Sequence, residues 1–247
     1  MAVRSEKLTF VGSQGDLLAG RFDLPEGPPI ATILFAHCFT CSKDTFAAAR
    51  IAGALAQSGF AVLRFDFTGL GSSDGEFANT TFSSNVDDLV AASDHLRMKY
   101  SAPAILVGHS LGGAAVLAAT SRVPEVKAVC TIGAPDDPSH VRHLFAASTE
   151  EIAITGEAEV ALAGRTFTIR RAFLEDVAAV RLASSIAQLR RPLLLFHSPI
   201  DEIVGIDCAG SIYAAAKHPK SFVAIDGADH LLTHREDAVF VSGVIAA

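Results

Sequence analysis

Short apolar runs that alternate with helical segments are the feature of this sequence that most constrains its fold. Residues 30–38 read as a buried strand, residues 44–59 as a helix with Asp44 as its N-cap and Gly59 just past its end, and residues 61–67 as the next strand. The alternation continues to a last helix at the C-terminal end. Continuous apolar strands flanked by amphipathic helices predict an α/β fold with a mostly parallel sheet covered on both faces. In such sheets the active site lies at the carboxyl ends of the strands.

One segment interrupts this alternation. Residues 136–190 include the stretch "EAEVALAGRTFTIRR", which alternates on both sides of Ala163-Gly164 as a hairpin does, with helical segments before and after it. Long inserts in compact domains are usually functional. We therefore expect one domain over residues 1–247 with a cap insertion at about 136–190 that covers a substrate pocket. A structural extension of the core is the alternative.

The charge balance limits the classes of partner. The chain has 247 residues, with 20 Lys and Arg against 27 Asp and Glu and a net charge of −7, and no run of Lys or Arg that could follow a phosphate backbone. This argues against nucleic acid. The N-terminal "MAVRSEKLTF" lacks the apolar region of a signal peptide, and no apolar stretch approaches membrane-spanning length. We therefore expect a cytoplasmic protein with no membrane partner.

Cysteine spacing argues against a disulfide framework. Cys38, Cys41, Cys130 and Cys208 are widely scattered, and only the first two form a close pair, in "HCFTC". A zinc site needs a second pair of ligands at matched spacing. We interpret Cys38 and Cys41 as small apolar residues in a tight loop, with metal or redox chemistry as the alternative, and expect no metal.

A serine stands where a buried strand meets an alanine-rich helix, in "AILVGHSLGGAAVLAA". Gly108, His109, Ser110, Leu111 and Gly112 match G-x-S-x-G, the nucleophile elbow, in which the glycines permit a close backbone approach and the serine hydroxyl projects from the sheet. A serine hydroxyl is a weak nucleophile, so it needs a base within hydrogen-bond reach and a third group to orient that base. The strand-before and helix-after context makes Ser110 the predicted nucleophile.

An acid and a base follow at later strand ends. "HSPIDEIV" places Asp201 just beyond a strand from Leu193 to His197, and "DGADHLL" places His230 just beyond a strand from Ser221 to Ile225. The chain order Ser, Asp, His is the one expected for a serine on a strand-to-helix elbow. The competing residues for the acid and the base are Glu202, Asp136, Asp137 and His234.

The oxyanion of the tetrahedral intermediate needs backbone donors. One is expected to be the amide of Leu111, at a helix N-terminus whose dipole favours negative charge. The other is expected from the loop after the third strand, "AHCFTCSKD", where the amide of Phe39 is the candidate. Asp66 is expected to hold a loop beside the site, and His140 and His143 are expected to be solvated residues of the cap.

These residues carry a resemblance over essentially the whole chain. The sequence resembles the α/β-hydrolase superfamily, and "LRFDFTGLGSSDGEFANTTFSSNV", "GHSLGGAAVL" and "HSPIDEIVGID" resemble the serine-hydrolase domain of bacterial proteins that fuse it to an OsmC-like domain. That family usually has His-Gly in the oxyanion loop, whereas this chain has His37-Cys38. The resemblance implies an OsmC-like domain as a partner, fused or missing, and leaves a homodimer open.

The expected function is that of a serine hydrolase without cofactor. Ser110 attacks an ester carbonyl, His230 moves the proton and Asp201 orients the imidazole. Short-chain carboxylic esters are the substrates that the resemblance favours, while thioesters, lactones and hydroxycinnamoyl esters stay open. A cofactor-free perhydrolase and a binding module that does not catalyse are the alternatives from other classes.

Overall fold

A twisted central sheet of eight strands organises the structure, a computed structural model that describes residues 3–162 and 164–247. The first two strands pair antiparallel, the second pairs antiparallel with the fourth, and the remaining pairs are parallel, which confirms the mostly parallel sheet. The strands are β1 Arg4–Val11, β2 Leu17–Leu24, β3 Thr32–Ala36, β4 Ala61–Phe65, β5 Ile105–His109, β6 Ala128–Ile132, β9 Leu193–His197 and β10 Lys220–Ala224. Their order in the sheet is β1-β2-β4-β3-β5-β6-β9-β10.

Strand register brings several strand ends to one edge of the sheet. Gly108 near the end of β5 pairs with Ala36 at the end of β3, and His109 pairs with Ile132 at the end of β6. His197, the last residue of β9, pairs with Ala224 of β10. The strand order reverses at β3, which has β4 on one side and β5 on the other. Open α/β sheets bind ligands at the carboxyl ends of the strands next to such a reversal.

Helices cover both faces of the sheet, as the apolar strands require. Helices α1 and α8 pack on one face over residues such as Ile33 and Val107, and α2 and α3 pack on the other over residues such as Leu34 and Leu106. The helices outside the insertion are α1 Phe46–Gln57, α2 Phe82–Lys99, α3 Leu111–Ala119, α7 Asp207–Ala215 and α8 Arg235–Ala246. In the described residues, no helix is long and apolar enough to cross a bilayer.

The start of α1 differs from its prediction. Asp44 is not the N-cap, because Thr45 occupies that position and the Asp44 carboxylate accepts a hydrogen bond from Arg64 Nη1 at 2.8 Å. Arg64 lies on the neighbouring strand β4, and a charge-assisted bond to it satisfies the carboxylate better than a helix amide would. Gly59 follows the helix with a φ of 98°, as predicted.

The segment between β6 and β9 consists of helices and one hairpin, whose buried residues, such as Ile152 and Phe167, join the same core as Leu34 and Leu106. The predicted hairpin pairs antiparallel from Glu157 with Arg170 to Leu162 with Arg165, and Ala163, predicted for its turn, lies outside the described residues. The helix predicted before the hairpin begins as a 3₁₀ helix. The elements are a 3₁₀ helix Pro138–Ser148, α4 Thr149–Thr155, β7 Glu157–Leu162, β8 Arg165–Arg170, α5 Arg171–Ala179 and α6 Leu182–Ala187.

Candidate active site

Ser110 occupies a sharp turn between β5 and α3. Its φ of 54° and ψ of −127° are strained for a residue with a side chain, and its amide donates to the carbonyl of Ile132 at 2.8 Å. A Cβ on Gly108 would lie 2.3 Å from the carbonyl oxygen of Gly112, and one on Gly112 would lie 2.4 Å from that of His37. Only glycine fits at either position, so the two glycines permit the turn that raises the Ser110 hydroxyl from the sheet.

A chain of hydrogen bonds joins Ser110 to two residues from distant loops. The Ser110 hydroxyl lies 2.9 Å from His230 Nε2, and His230 Nδ1 lies 2.7 Å from Asp201 Oδ2. A carboxylate accepts from Nδ1–H, which leaves the Nε2 lone pair to accept from the hydroxyl. The structure thus brings together the three residues predicted from sequence, in the geometry of a nucleophile, a base and an orienting acid.

Asp201 is held as an anion by the turn that follows β9. The amides of Ile203 and Val204 both donate to its Oδ1 at 2.9 Å. Burial raises the pKa of Asp201, but the hydrogen bond from His230 and those from the two amides outweigh burial and bring the pKa below its usual value. A carboxylate held in its charged form favours positive charge on an imidazole ring that is hydrogen-bonded to it.

Two histidines at the ends of strands hold the loops of the acid and the base. His109 ends β5 and donates from Nε2 to the carbonyl of His230 at 2.7 Å, and His197 ends β9 and donates from Nε2 to the carbonyl of Val204 at 2.7 Å. Both side chains are buried. Burial, and then the nearby His230, lower the pKa of His109 to about 4, so the His109 ring is neutral at pH 7.

The residues of the two candidate oxyanion donors line the same small cavity. Phe39, in the loop after β3, and Leu111, the first residue of α3, both line a cavity of about 10 Å³, which is room for a single water molecule. In the described part of the chain, neither amide has a hydrogen-bond acceptor. Backbone N–H groups near the protein interior normally have a partner. The two amides therefore stay the candidate donors to an oxygen atom of a ligand.

Sequence and structure comparisons identify the family. A model described as the alpha/beta hydrolase family matches residues 33–242. The chain belongs to the alpha/beta hydrolase family. A solved structure titled as the esterase domain of a Rhodothermus marinus protein is 50% identical, with a TM-score of 0.80 over 100% of this chain and 97% of that one.

More distant relatives of this hydrolase share less of their length or only the fold. The mouse palmitoyl-protein thioesterase ABHD10, mitochondrial, is 33% identical over 153 residues, which are 59% of this chain and 50% of that protein. The chain thus spans about half the length of that curated relative. Ferulic acid-bound Est1E from Butyrivibrio proteoclasticus shows the same fold, at 23% identity and a TM-score of 0.78 over 97% of this chain and 100% of that one.

The loop after β3 of the hydrolase contains a disulfide that the sequence analysis did not predict. Cys38 and Cys41 are bonded, with their Cα atoms 5.3 Å apart, so the interpretation as two unlinked apolar residues is wrong. The Cys41 amide donates to the Cys38 carbonyl at 3.2 Å in a tight turn, which brings the two side chains within bonding reach. Cys130 and Cys208 are free.

In the described residues, the His230 ring is hydrogen-bonded to Asp201 and Ser110 and to none of the competing acid residues. Asp137 caps the 3₁₀ helix, accepting from the Ser139 amide at 2.8 Å, and Asp136 contacts Cys208. Glu202 is exposed beside a surface groove of about 410 Å³ that His230 also lines.

The remaining histidines have structural contacts. His234, the competing base, is exposed at the start of α8. His140 differs from its prediction, because it is half-buried and donates from Nε2 to the carbonyl of Ile203 at 2.8 Å, while His143 is exposed. His140 thus connects the inserted segment to the turn of Asp201. Within residues 3–162 and 164–247, no group of three or more His, Cys, Asp or Glu is arranged to hold a metal ion.

Asp66 holds the loops next to the site, as predicted. It is fully buried and accepts from the amide and the Nζ of Lys43, both at 2.6 Å, and from the amide of Ser72 at 2.9 Å. A charged pair in the interior is stable only with such additional hydrogen bonds. The pair fixes the segment that runs from the Cys38 turn into α1.

Proposed function

We propose that this hydrolase cleaves carboxylic esters with short acyl chains through an acyl-enzyme formed on Ser110. The observation that carries the proposal is the continuous hydrogen-bond chain from Asp201 through His230 to Ser110. A serine with a base and an orienting carboxylate in this order is the arrangement that acyl transfer requires.

In the first half of the reaction, the Ser110 oxygen attacks the ester carbonyl while His230 Nε2 takes the hydroxyl proton. The imidazolium that results is paired with the Asp201 carboxylate at 2.7 Å. Negative charge moves onto the carbonyl oxygen, where the amides of Phe39 and Leu111 donate to it. Removing one such donor typically lowers kcat by about 10²–10³-fold.

In the second half, His230 gives its proton to the departing alcohol and then activates a water molecule, which cleaves the acyl-enzyme. The leaving group needs space next to His230. The groove of about 410 Å³ that His230 lines, with Ile200 and Leu231 at its apolar wall, supports an exit for the alcohol on that side.

Packing around the oxyanion loop supports short acyl chains. The ring of Phe39 lies 5.8 Å from that of Phe77 and 5.4 Å from that of Phe173, and the Phe77 ring lies 4.9 Å from that of Phe167. We refer to these four residues as the aromatic cluster. It joins the inserted segment to the oxyanion loop, and the cavity that Phe39 lines with Leu111 measures only about 10 Å³.

Thioesters are the second candidate substrates. The mouse relative at 33% identity is named as a palmitoyl-protein thioesterase, while the 50% identical structure is titled an esterase domain. The same hydrogen-bond chain serves both reactions, because a thiolate leaves more readily than an alkoxide and needs less help from His230.

The test is hydrolysis of p-nitrophenyl esters from acetate to palmitate by the parent and by Ser110→Ala, with butyrylthiocholine as the thioester matched in its acyl group to p-nitrophenyl butyrate. We expect a maximum of kcat/KM at short chains and loss of turnover in Ser110→Ala. A higher kcat/KM on butyrylthiocholine would favour the thioesterase. Activity that needs hydrogen peroxide would indicate a perhydrolase, and a folded protein that no fluorophosphonate labels would indicate a binding module.

A further inference from the structure

The Cys38–Cys41 disulfide closes a four-residue ring around the candidate oxyanion donor. Phe39 and Thr40 lie between the two cysteines, so the amide of Phe39 is part of a short, covalently closed loop. The ring follows β3 directly, next to the N-terminus of α3 and the nucleophile elbow.

Hydrogen bonds hold this turn only locally. In the described part of the chain, residues 38–41 form hydrogen bonds only with one another and with His37. His37 Nδ1 and the Cys41 amide donate to the Cys38 carbonyl, and the Thr40 hydroxyl donates to the Phe39 carbonyl. Packing of the Phe39 ring against Phe77 and Phe173 is a contact of the side chain and not of the amide. The disulfide is therefore the main constraint on the direction of the Phe39 N–H.

The backbone within the ring is strained. Thr40 has a φ of 58°, a left-handed conformation that is unfavourable for a β-branched residue. Such a conformation persists only where its surroundings enforce it. Opening the ring would let Thr40 return to negative φ, and the peptide units on both sides would rotate with it.

The two cysteine residues differ in exposure. Cys38 is buried, with 5% of its surface exposed, whereas Cys41 is half-buried. A thiolate from solution can therefore approach Cys41 Sγ, with Cys38 as the leaving thiolate. The other two cysteines do not compete, because burial raises the pKa of Cys130 to about 12 and also raises the pKa of Cys208.

We infer that the Cys38–Cys41 disulfide positions the Phe39 amide for the oxyanion and that a dithiol switches the hydrolase to a less active state by reducing it. The inference rests on the proposed function. In the reaction, one thiolate of the dithiol bonds to Cys41 Sγ, and Cys38 leaves and takes a proton. The second thiol then displaces Cys41, so that the dithiol is oxidised to a cyclic disulfide and two cysteine thiols form, by transfer of two electrons.

The experiment measures kcat and KM on p-nitrophenyl butyrate for oxidised protein, for protein reduced with dithiothreitol and for protein reoxidised afterwards. Maleimide labelling and intact mass count the free thiols in each state. We expect reduction to add two labelled thiols and to lower kcat on the order of 10²–10³-fold, since an oxyanion donor is displaced. KM should change less than threefold, and reoxidation should restore kcat.

Two variants complete the design. Cys38→Ser/Cys41→Ser should show the low kcat of the reduced state and no response to dithiothreitol, with its fold checked by circular dichroism. Cys208→Ser should respond as the parent does. Equal kcat in the oxidised and reduced states, with two thiols released, would overturn the inference while leaving the proposed function intact. Absence of fluorophosphonate labelling at Ser110 in the oxidised state would instead overturn the proposed function and the inference together.

Discussion

At the scale of single residues, the proposed reaction of Ser110 depends on the protonation states of the groups around it. Asp201 is an anion and His109 is neutral at pH 7, for different reasons: hydrogen bonds from three donors hold the charge on Asp201, whereas burial prevents His109 from gaining one. His230 lies between them, bonded to the Asp201 carboxylate through its ring and to His109 through its backbone carbonyl.

Asp201→Asn should lower kcat on the order of 10⁴-fold, because an amide at this position favours the wrong tautomer of His230. Steady-state kinetics on p-nitrophenyl butyrate measure the effect. Asp137→Asn is the matched control, since this exposed carboxylate caps a 3₁₀ helix, and it should retain activity within about twofold of the parent. A larger loss in Asp137→Asn than in Asp201→Asn would show that the acid is misplaced.

His109 should make folding stability depend on pH. Its folded pKa of about 4 lies below the ordinary value of 6.5, so the unfolded chain binds a proton that the folded chain does not. The free energy of unfolding should therefore fall as pH drops from 6.5 to 4, by up to about 3 kcal/mol from this group. His37, whose pKa burial also lowers, acts in the same direction.

His109→Gln removes this titration and keeps a side-chain donor for the His230 carbonyl. Urea unfolding at intervals between pH 6.5 and 4 should give a shallower loss of stability for His109→Gln than for the parent. His143→Gln, at an exposed position, should follow the parent. Identical pH slopes for all three proteins would contradict a neutral, buried His109.

At the scale of elements, the strands were predictable from sequence, whereas the hydrogen bonds and the disulfide of the loops were not. The run from Leu193 to His197 is a strand with the predicted bounds, and the strand before His230 is shifted by only one residue, to Lys220–Ala224. Local apolar pattern determines the bounds of β9, because a strand buried on two faces needs a continuous apolar run. β10 is an edge strand whose residues are half-buried or exposed, so its pattern is weaker.

The contacts that the sequence could not predict join residues that are far apart or depend on a turn. His109 donates to the carbonyl of His230, 121 residues away. The carboxylate of Asp44 accepts a hydrogen bond from Arg64 on β4 and does not cap α1. A spacing of three residues permits the bond between Cys38 and Cys41 without requiring it, since only the turn geometry brings the sulfur atoms together.

The buried ion pair between Lys43 and Asp66 should contribute strongly to stability. Lys43→Met leaves the Asp66 carboxylate buried without its cation, and loss of one partner of such a pair costs about 3–5 kcal/mol. Guanidinium unfolding measures the change. Lys99→Met, at an exposed position on α2, should change stability by less than about 0.5 kcal/mol. A similar small effect for both variants would mean that backbone amides alone stabilise Asp66.

At the scale of the whole molecule, the sheet assembles the site and the inserted segment packs against the loop after β3 through Phe173 and Phe39. Ser110, Asp201 and His230 follow three different strands, yet the parallel arrangement brings their loops to one edge of the sheet, which is why their order in the sequence predicted their proximity. The packing of the inserted segment against Phe39 was not predictable, because it depends on the path of residues 136–190 over the sheet.

Phe173→Ala should shift the preference of the hydrolase towards longer acyl chains. Phe173 is buried on α5 against Phe39 and Phe145, and truncation of its ring opens space next to the oxyanion loop. The ratio of kcat/KM for octanoate to that for butyrate should rise at least fivefold. Phe240→Ala, on the exposed side of α8, should leave the ratio unchanged. A ratio unchanged in Phe173→Ala would indicate that the acyl group binds elsewhere.

The central claim is that Ser110 is the nucleophile and that His230 activates it. Peptide mapping after reaction with a fluorophosphonate tests this most directly. We expect one adduct per chain on the peptide that contains Ser110, no adduct in Ser110→Ala, and labelling slowed at least 100-fold in His230→Ala. An adduct on a different residue, or ester turnover by Ser110→Ala equal to that of the parent, would contradict it.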